Sequence, residues 1–263
     1  MPVQKNAKLI EKIELVPGIF HFKVEAPEIV STAKPGNFVE IRITHQTAPF
    51  LRRPISIYHL DKENGILEFI FQVKGEGTKI LSQRKVGEEV DLIGPLGFGT
   101  FRFDNYQNLA VIGGGIGMFP LYELCQEAKQ AGKQISTYLS FRNQDLVVLE
   151  KEFQAVSDHF SLSTDDGSYA KKGFALDYLK EDCKNHSYDC IYACGPTPML
   201  RAIKAFAEEA GIPCQLSLEE KMGCGLGVCL GCAVKIASSP KDAPDYMHVC
   251  KAGPVFQSTD VEF

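Results

Sequence analysis

Leu109-Ala110-Val111-Ile112-Gly113-Gly114-Gly115-Ile116-Gly117 decides how the middle of this 263-residue chain is read. The apolar run fits a buried strand, the glycines behind it allow a tight turn, and the residues beyond can start a helix whose free amides face outward. Taken alone, a glycine-rich turn is equally well an ordinary tight turn. Its surroundings decide the matter: Leu109–Ile112, Gln134–Ser140 and Cys190–Ala193 alternate with stretches of helical period, clearest at Leu121–Ala131 and Met199–Ala210. That alternation predicts a parallel, doubly wound α/β sheet with its crevice at the carboxyl ends of the strands.

A second edge faces the same crevice. Tyr188–Ala193 reads as a buried strand ending in Cys194-Gly195-Pro196-Thr197-Pro198-Met199. Gly195 permits close approach to the backbone, and Pro196 is tolerated where a helix starts. Gly113, Gly114, Gly115 and Gly117 are then candidates to cradle a dinucleotide pyrophosphate, with Cys194, Gly195 and Pro196 beside its ring. A small buried core residue is the competing reading of Cys194.

On the N-terminal side, Ala7–Phe103 consists of short runs rich in Ile, Val and Phe: Ile19–Val24, Phe38–Ile43, Ile66–Val73 and Val90–Ile93. Pro17-Gly18, Pro35-Gly36, Asn64-Gly65 and Gly94-Pro95 punctuate them, which predicts a small antiparallel barrel or sandwich, with Gly94–Gly99 as its exit linker. Ser217–Phe263 has too little periodic apolar sequence for a core of its own. The expected division is therefore 1–103, 104–216 and 217–263, an α+β multidomain chain.

The last segment carries Cys224, Cys229, Cys232 and Cys250, in the pattern C-x4-C-x2-C with a distant fourth cysteine. This is the plant-type ferredoxin spacing of a two-iron, two-sulfur cluster. Gly223, Gly225, Gly227 and Gly231 suit a loop that turns thiolates inward and aims amides at sulfur. Structural zinc also takes four thiolates, but from two close pairs, and the three-plus-one arrangement fits it poorly. Cys125, Cys183, Cys190 and Cys214 read as core side chains.

Composition sets the exclusions. A net charge of -5 without a basic stripe argues against a nucleic-acid binder. Lys5, Lys8, Glu11, Lys12 and Glu14 interrupt the apolar N-terminus, so no secretory signal is expected. The uncharged stretch from Asn105 to Tyr122 is broken by glycine and Pro120, so no membrane span is expected either. Nine cysteines in a chain of this kind imply reduced thiols and a cytoplasmic protein.

Both glycine edges, with Arg53-Pro54-Ile55-Ser56 in the first segment, resemble the ferredoxin-NADP reductase superfamily along the whole chain. With the four cysteines and Cys250-Lys251-Ala252-Gly253-Pro254-Val255-Phe256 added, the chain is similar to the electron-transfer subunits of type B (NAD-dependent) dihydroorotate dehydrogenase. The resemblance implies an FAD-binding β-barrel, an NAD-binding α/β domain and a small iron-sulfur domain. It puts the flavin motif on Arg53, Pro54, Ile55 and Ser56, a second flavin-contacting strand on Ile70, Phe71 and Gln72, and pyrophosphate contacts on Gly77 and Thr78. Relatives often carry Arg where this chain has Gln72. Phe141–Leu146, with Arg142, and Thr164–Gly167 match further signatures at the nucleotide edge.

The same resemblance implies a route. Dihydroorotate is oxidised at FMN in a separate catalytic subunit, and electrons pass through the cluster and FAD to NAD, in UMP biosynthesis. A heterotetramer with two copies of each chain is expected. The named residues position cofactors, and none is an acid-base catalyst. The residues themselves leave NAD and NADP open, because no acidic ribose partner follows the glycine loop at the usual spacing. Rival readings are the small subunit of a ferredoxin-dependent NAD(P) transhydrogenase, whose cluster is expected to use a carboxylate in place of one thiolate, and a non-catalytic redox sensor or adaptor.

Overall fold

Alternating apolar side chains close the first part of the chain into a barrel. The computed structural model describes residues 1–44, 46–237 and 245–263. β1 (Val3–Val16), β2 (Ile19–Glu25), β3 (Phe38–Ile41), β4 (Arg53–Asp61), β5 (Ile66–Gln72) and β6 (Glu89–Leu96) run antiparallel in the closed order β1-β2-β5-β4-β3-β6. Leu9, Phe22, Val39, Ile57, Leu67 and Phe69 point into it, and closure leaves no free edge. Two short helices, α1 (Pro27–Val30) and α2 (Glu76–Ser82), accompany the strands. Gly94 and Pro95 still belong to β6, where Gly94 pairs with Val3, so the chain leaves the barrel at Gly97 rather than at the first turn signal.

The middle segment alternates as its periodicity predicts. β7 (Asn108–Gly114), α3 (Phe119–Gln130), β8 (Gln134–Phe141), α4 (Glu150–Val156), β9 (His159–Thr164), β10 (Lys171–Lys172), α5 (Ala175–Asp182), β11 (Cys190–Cys194), α6 (Thr197–Ala210) and β12 (Cys214–Ser217) follow in chain order. The strands lie parallel as β10-β9-β8-β7-β11-β12. β7 shows why helices cover both faces. Leu109 and Val111 pack with Leu121, Leu124 and Phe153 of α3 and α4, while Ala110 and Ile112 pack with Leu179, Leu200 and Ile203 of α5 and α6. The order in which strands are added reverses between β7 and β11, with β8, β9 and β10 on one side and β11 and β12 on the other, which opens a switch-point crevice at their carboxyl ends.

The last segment adds an antiparallel pair, β13 (Ala233–Lys235) with β14 (Tyr246–His248), and β15 (Val255–Gln257), which pairs antiparallel with β12. Among its described residues it has no separate core. Cys232, Val249, Cys250 and Phe256 share a cluster with Phe38 and Leu96 of the barrel and Leu216 of the sheet. Backbone bonds zip it to the barrel exit: Phe98 N–H donates to Lys251 O (3.0 Å), Gly99 N–H to Gly253 O (3.0 Å) and Val255 N–H to Gly99 O (3.3 Å).

This seam tolerates no side chain at Gly99, where a Cβ would lie 2.2 Å from Val255 O and 2.6 Å from Ala252 O. Gly99→Ala is expected to destabilise the protein by about 1–3 kcal/mol, the usual cost of overpacking, read as a lowered Tm in thermal denaturation. An unchanged Tm would show that the seam yields.

Candidate functional site

At the switch point, the turn after β7 meets the loop after β11 at backbone distance. Cys194 pairs with Gly113 in the sheet, and a Cβ on Gly117 would stand 2.6 Å from Gly195 Cα. Glycine is therefore required for the loops to approach, independently of any ligand. Above them opens a cavity of about 1150 Å³, larger than the roughly 300–1,000 Å³ of an ordinary small-molecule site and roomy enough for an extended dinucleotide. Gly114, Gly115, Gly117, Gly195 and Pro196 line it, together with Gln72 from the barrel. Gly113 closes the strand below. Cys194 is buried among apolar neighbours, its thiol pushed up by burial and by the charge of Glu219, and it lies beneath the cavity rather than on its wall.

The barrel residues divide. Arg53 and Gly77 are brought together: a Cβ on Gly77 would sit 2.7 Å from the Arg53 Nε, so the guanidinium packs flat on the start of α2. Its Nη1 also donates to Leu51 O at 2.6 Å, which holds the side chain in place. Thr78 caps α2, its hydroxyl accepting from the Lys74 N–H (2.9 Å) and the Gly75 N–H (3.2 Å). Pro54, Ser56 and Gln72 are half-buried and reachable. Ile55 packs on the barrel core and Phe71 is part of it, against Phe20 and Phe22, while Ile70 is buried toward the nucleotide domain.

The four cysteines of the spaced pattern are gathered as two pairs. Cys224 interacts with Cys229, and Cys250 with Cys232, through their side chains. The loop between them turns through Gly225 (φ +68°) and Gly227 (φ +78°), and this aims amides at sulfur. Cys224 Sγ accepts from the N–H groups of Leu226 (3.3 Å), Val228 (3.4 Å) and Cys229 (3.4 Å), and Cys250 Sγ from Gly227 N–H (3.1 Å). Burial opposes ionisation of Cys224, yet those amides bring its thiol down to about 6. Paired thiols under a canopy of amides fit a binuclear cluster with two thiolates per iron better than one tetrahedral zinc.

Some of the site has no sequence motif. Lys74, Arg142, Lys180, Arg201 and Lys235 line the cavity from five separate segments; Lys235 is paired with Glu262 at 2.9 Å and the Lys180 ammonium lies over the Phe206 ring, which leaves Lys74, Arg142 and Arg201 as the cations suited to phosphate. Arg142 was expected there on its signature; the others carried no local signal. Asp165, Glu219 and Phe263 also line it. Glu40, in β3 opposite Pro54, is 1% exposed and neither of its carboxyl oxygens has a hydrogen-bond partner among the described residues. Its side chain lies against Gly225 of the thiol loop, and burial pushes its carboxyl up to about 7. Arg52 nearby is held instead by Asp91, at 2.9 Å to both oxygens.

Comparison with known proteins agrees with this layout. Residues 6–103 match the oxidoreductase FAD-binding domain, residues 111–205 the oxidoreductase NAD-binding domain, and residues 219–262 the iron-sulfur cluster binding domain of dihydroorotate dehydrogenase B. The chain is 37% identical over 256 residues to the dihydroorotate dehydrogenase B (NAD(+)) electron transfer subunit of Desulforamulus reducens, covering 97% of each. It is 36% identical to that of Bacillus cereus, covering 99% of each. Among solved structures, an NADH-dependent reduced ferredoxin-NADP oxidoreductase superposes with a TM-score of 0.87 at 30% identity, over 98% of this chain and 90% of the other. The cytochrome b5 reductase domain of Ulva prolifera nitrate reductase shares the fold, with a TM-score of 0.65 at 20% identity, over 80% of this chain and 94% of the other.

Cys229→Ser is expected to abolish cluster assembly while Cys183→Ser, in the turn after α5, preserves it; iron and sulfide analysis with the visible spectrum decides, and a full cluster spectrum in Cys229→Ser would remove that residue from the ligand set. Arg53→Ala is expected to loosen FAD by about 1.5–3 kcal/mol, the range of a hydrogen bond to a charged group. Flavin fluorescence titration reads it, and unchanged affinity would relocate the motif.

Proposed function

The chain belongs to the electron-transfer subunits of dihydroorotate dehydrogenase B, and from that membership we propose how its residues carry the activity. It is an oxidoreductase subunit that binds FAD, NAD and an iron-sulfur cluster and serves dihydroorotate oxidation in pyrimidine biosynthesis. The observation that carries the assignment of residues is that one cavity has walls from all three parts of the chain: Gln72 from the barrel, Gly117 and Gly195 from the sheet, and Leu218 and Phe263 from the segments around the cluster loop.

In this reading Arg53, Pro54, Ile55 and Ser56, the strand Ile70–Gln72, and Gly77 with Thr78 hold FAD. Gln72 meets it with an uncharged amide. Gly113, Gly114, Gly115 and Gly117 receive the NAD pyrophosphate, and Gly195 and Pro196 admit the nicotinamide, with Cys194 supporting the loop from below. Lys74 and Arg142 neutralise phosphate charge. Cys224, Cys229, Cys232 and Cys250 ligate a two-iron, two-sulfur cluster. When bound, the flavin exchanges single electrons with the cluster and a hydride with nicotinamide. The protein's part is positioning and exclusion of water, the latter by Ile19, Leu218 and Phe263 on the cavity wall.

The electron donor is an FMN-containing catalytic subunit, joined in a heterotetramer of two copies of each chain. Support comes from the cluster loop, which exposes Leu226 (49%), Val228 (78%) and Leu230 (61%) beside the thiols, an apolar rim suited to a partner. A cytoplasmic setting suits nine unbridged cysteines, and no helix among the described residues is long and apolar enough to cross a membrane. Four thiols at the cluster loop favour this reading over a ferredoxin-linked transhydrogenase, and an intact Arg53–Ser56 strand favours it over a sensor.

Protein purified without oxygen is expected to contain FAD and about two irons and two sulfides per chain, and NADH is expected to bleach the visible spectrum. It is also expected to co-elute with its catalytic subunit in gel filtration. A colourless zinc protein would overturn the reading.

A further inference from the structure

Strand β4 carries two things at once. Its first half is the Arg53–Ser56 stretch; its second half, three residues on, is His59. Helix α3 is likewise shared, since it begins two residues after Gly117 and bears Glu123 one turn in. Between these elements the barrel and the nucleotide domain touch, and the contact is polar at its centre. His59 Nδ1 lies 2.7 Å from Glu123 Oε2, and Leu60 N–H donates to the same oxygen at 3.0 Å. Glu123 is 3% exposed. Tyr58 and Tyr122 stack beside the pair with ring centroids 4.6 Å apart, and Lys62 meets Glu127 at 2.6 Å on the exposed rim.

We propose that His59 and Glu123 are positioning residues for hydride transfer: the pair ties the flavin strand to the helix that follows the nucleotide loop and thereby fixes the approach of nicotinamide to flavin. The inference rests on the reading of β4 as the flavin strand and of Gly113–Gly117 as the nucleotide loop. A buried carboxylate has to be compensated, and the compensation here comes from the other domain. The rigid stack of tyrosines limits tilt, while the hydrogen bonds set the height of α3 over β4. Hydride transfer is sensitive to such placement, because a displacement of about 1 Å can cost on the order of 100-fold in rate.

The surroundings of His59 give the contact a pH dependence. Burial opposes the imidazolium, but the hydrogen bond and charge of Glu123 outweigh it, helped by Glu68 and Asp61, and hold the ring's proton affinity above its ordinary value. Glu68 stands directly across from His59 on β5 and is itself shared with His21 of β2 at 2.7 Å and with Lys23 at 3.8 Å. From α3, Tyr122 meets the ring edge-on at 5.8 Å. Since the folded pKa is raised, the charged contact is complete below the ordinary histidine range and is lost as pH rises through the raised value. Neutral His59 keeps at most an uncharged donor.

The test is stopped-flow reduction of the FAD by NADH in the loaded complex, run from pH 6 to 9, with flavin–nicotinamide charge-transfer absorbance and the isotope effect of deuterated NADH as readouts independent of turnover. His59→Leu is expected to slow flavin reduction about tenfold and weaken the charge-transfer band, with FAD and iron content unchanged. His59→Asn, which returns a donor near the Nδ1 position without the charge, is expected to hold at every pH a rate near the one the wild type reaches when His59 is neutral, above that of His59→Leu and without the decline as pH rises. Glu123→Gln should behave as His59→Asn does, and covers the case in which a leucine at 59 disturbs folding. Wild-type rates, pH profile and charge-transfer band in all three variants would overturn the proposal. So would loss of FAD or iron in step with the rate, since the pair would then serve folding. A wild-type flavin that NADH does not reduce would overturn the site reading and this proposal with it.

Discussion

Two backbone loops meeting without side chains is the contact on which the rest of this molecule depends. A Cβ on Gly117 would lie 2.6 Å from the Gly195 backbone, and one on Gly195 would lie 2.6 Å from the Met199 side chain and 3.2 Å from Gly114 N, and parallel pairing of β7 with β11 brings their loops to the same level of the sheet. With larger residues the loops would part and the sheet would splay at its switch point. Because they touch, the space above them is walled by main chain, and α3 leaves the turn at an angle that takes it across β4 of the barrel.

Charge is balanced locally. The chain carries a net charge of -5, and the cavity gathers Lys74, Arg142, Lys180, Arg201 and Lys235 together with Asp165, Asp177, Glu219, Glu220 and Glu262, with Lys235 paired to Glu262 at 2.9 Å. Buried carboxylates are each treated differently. Glu68 pairs within the barrel with His21, and Glu123 is met by His59 from the neighbouring domain. The Asp91 carboxylate takes both hydrogen bonds of the Arg52 Nη2. Glu40, next to the same arginine, is left without a partner beneath the thiol loop. An unpaired carboxyl there costs free energy unless the loaded cluster and flavin complete its surroundings, and it marks the junction between the two cofactor motifs.

The C-terminal segment solves a size problem. It is too short to enclose a core, and it borrows one, with Cys232, Val249, Cys250 and Phe256 inserted between barrel and sheet. The thiols are consequently anchored to both domains at once, through β15 on β12 and through the seam at Gly99. Their loop then needs only local turns and amides, and its apolar tip stays exposed.

Short-range chemistry was legible in the sequence by itself. The cysteine spacing, and the succession of strand, glycine turn and helix, are each local patterns of the chain, so both could be read residue by residue. Strand alternation likewise marked the barrel and the doubly wound sheet, although β6 runs through Gly94-Pro95, because pairing with β1 outweighs a local turn signal. Only the tertiary structure decided that Cys194 lies under the cavity, that Phe71 belongs to the barrel core, and that Glu40, Lys235 and Phe263 belong near the site at all. Those placements depend on which strands become neighbours and on how far a side chain lies from segments more than a hundred residues away in sequence. No local pattern encodes that distance, since it is fixed by packing of whole elements against one another.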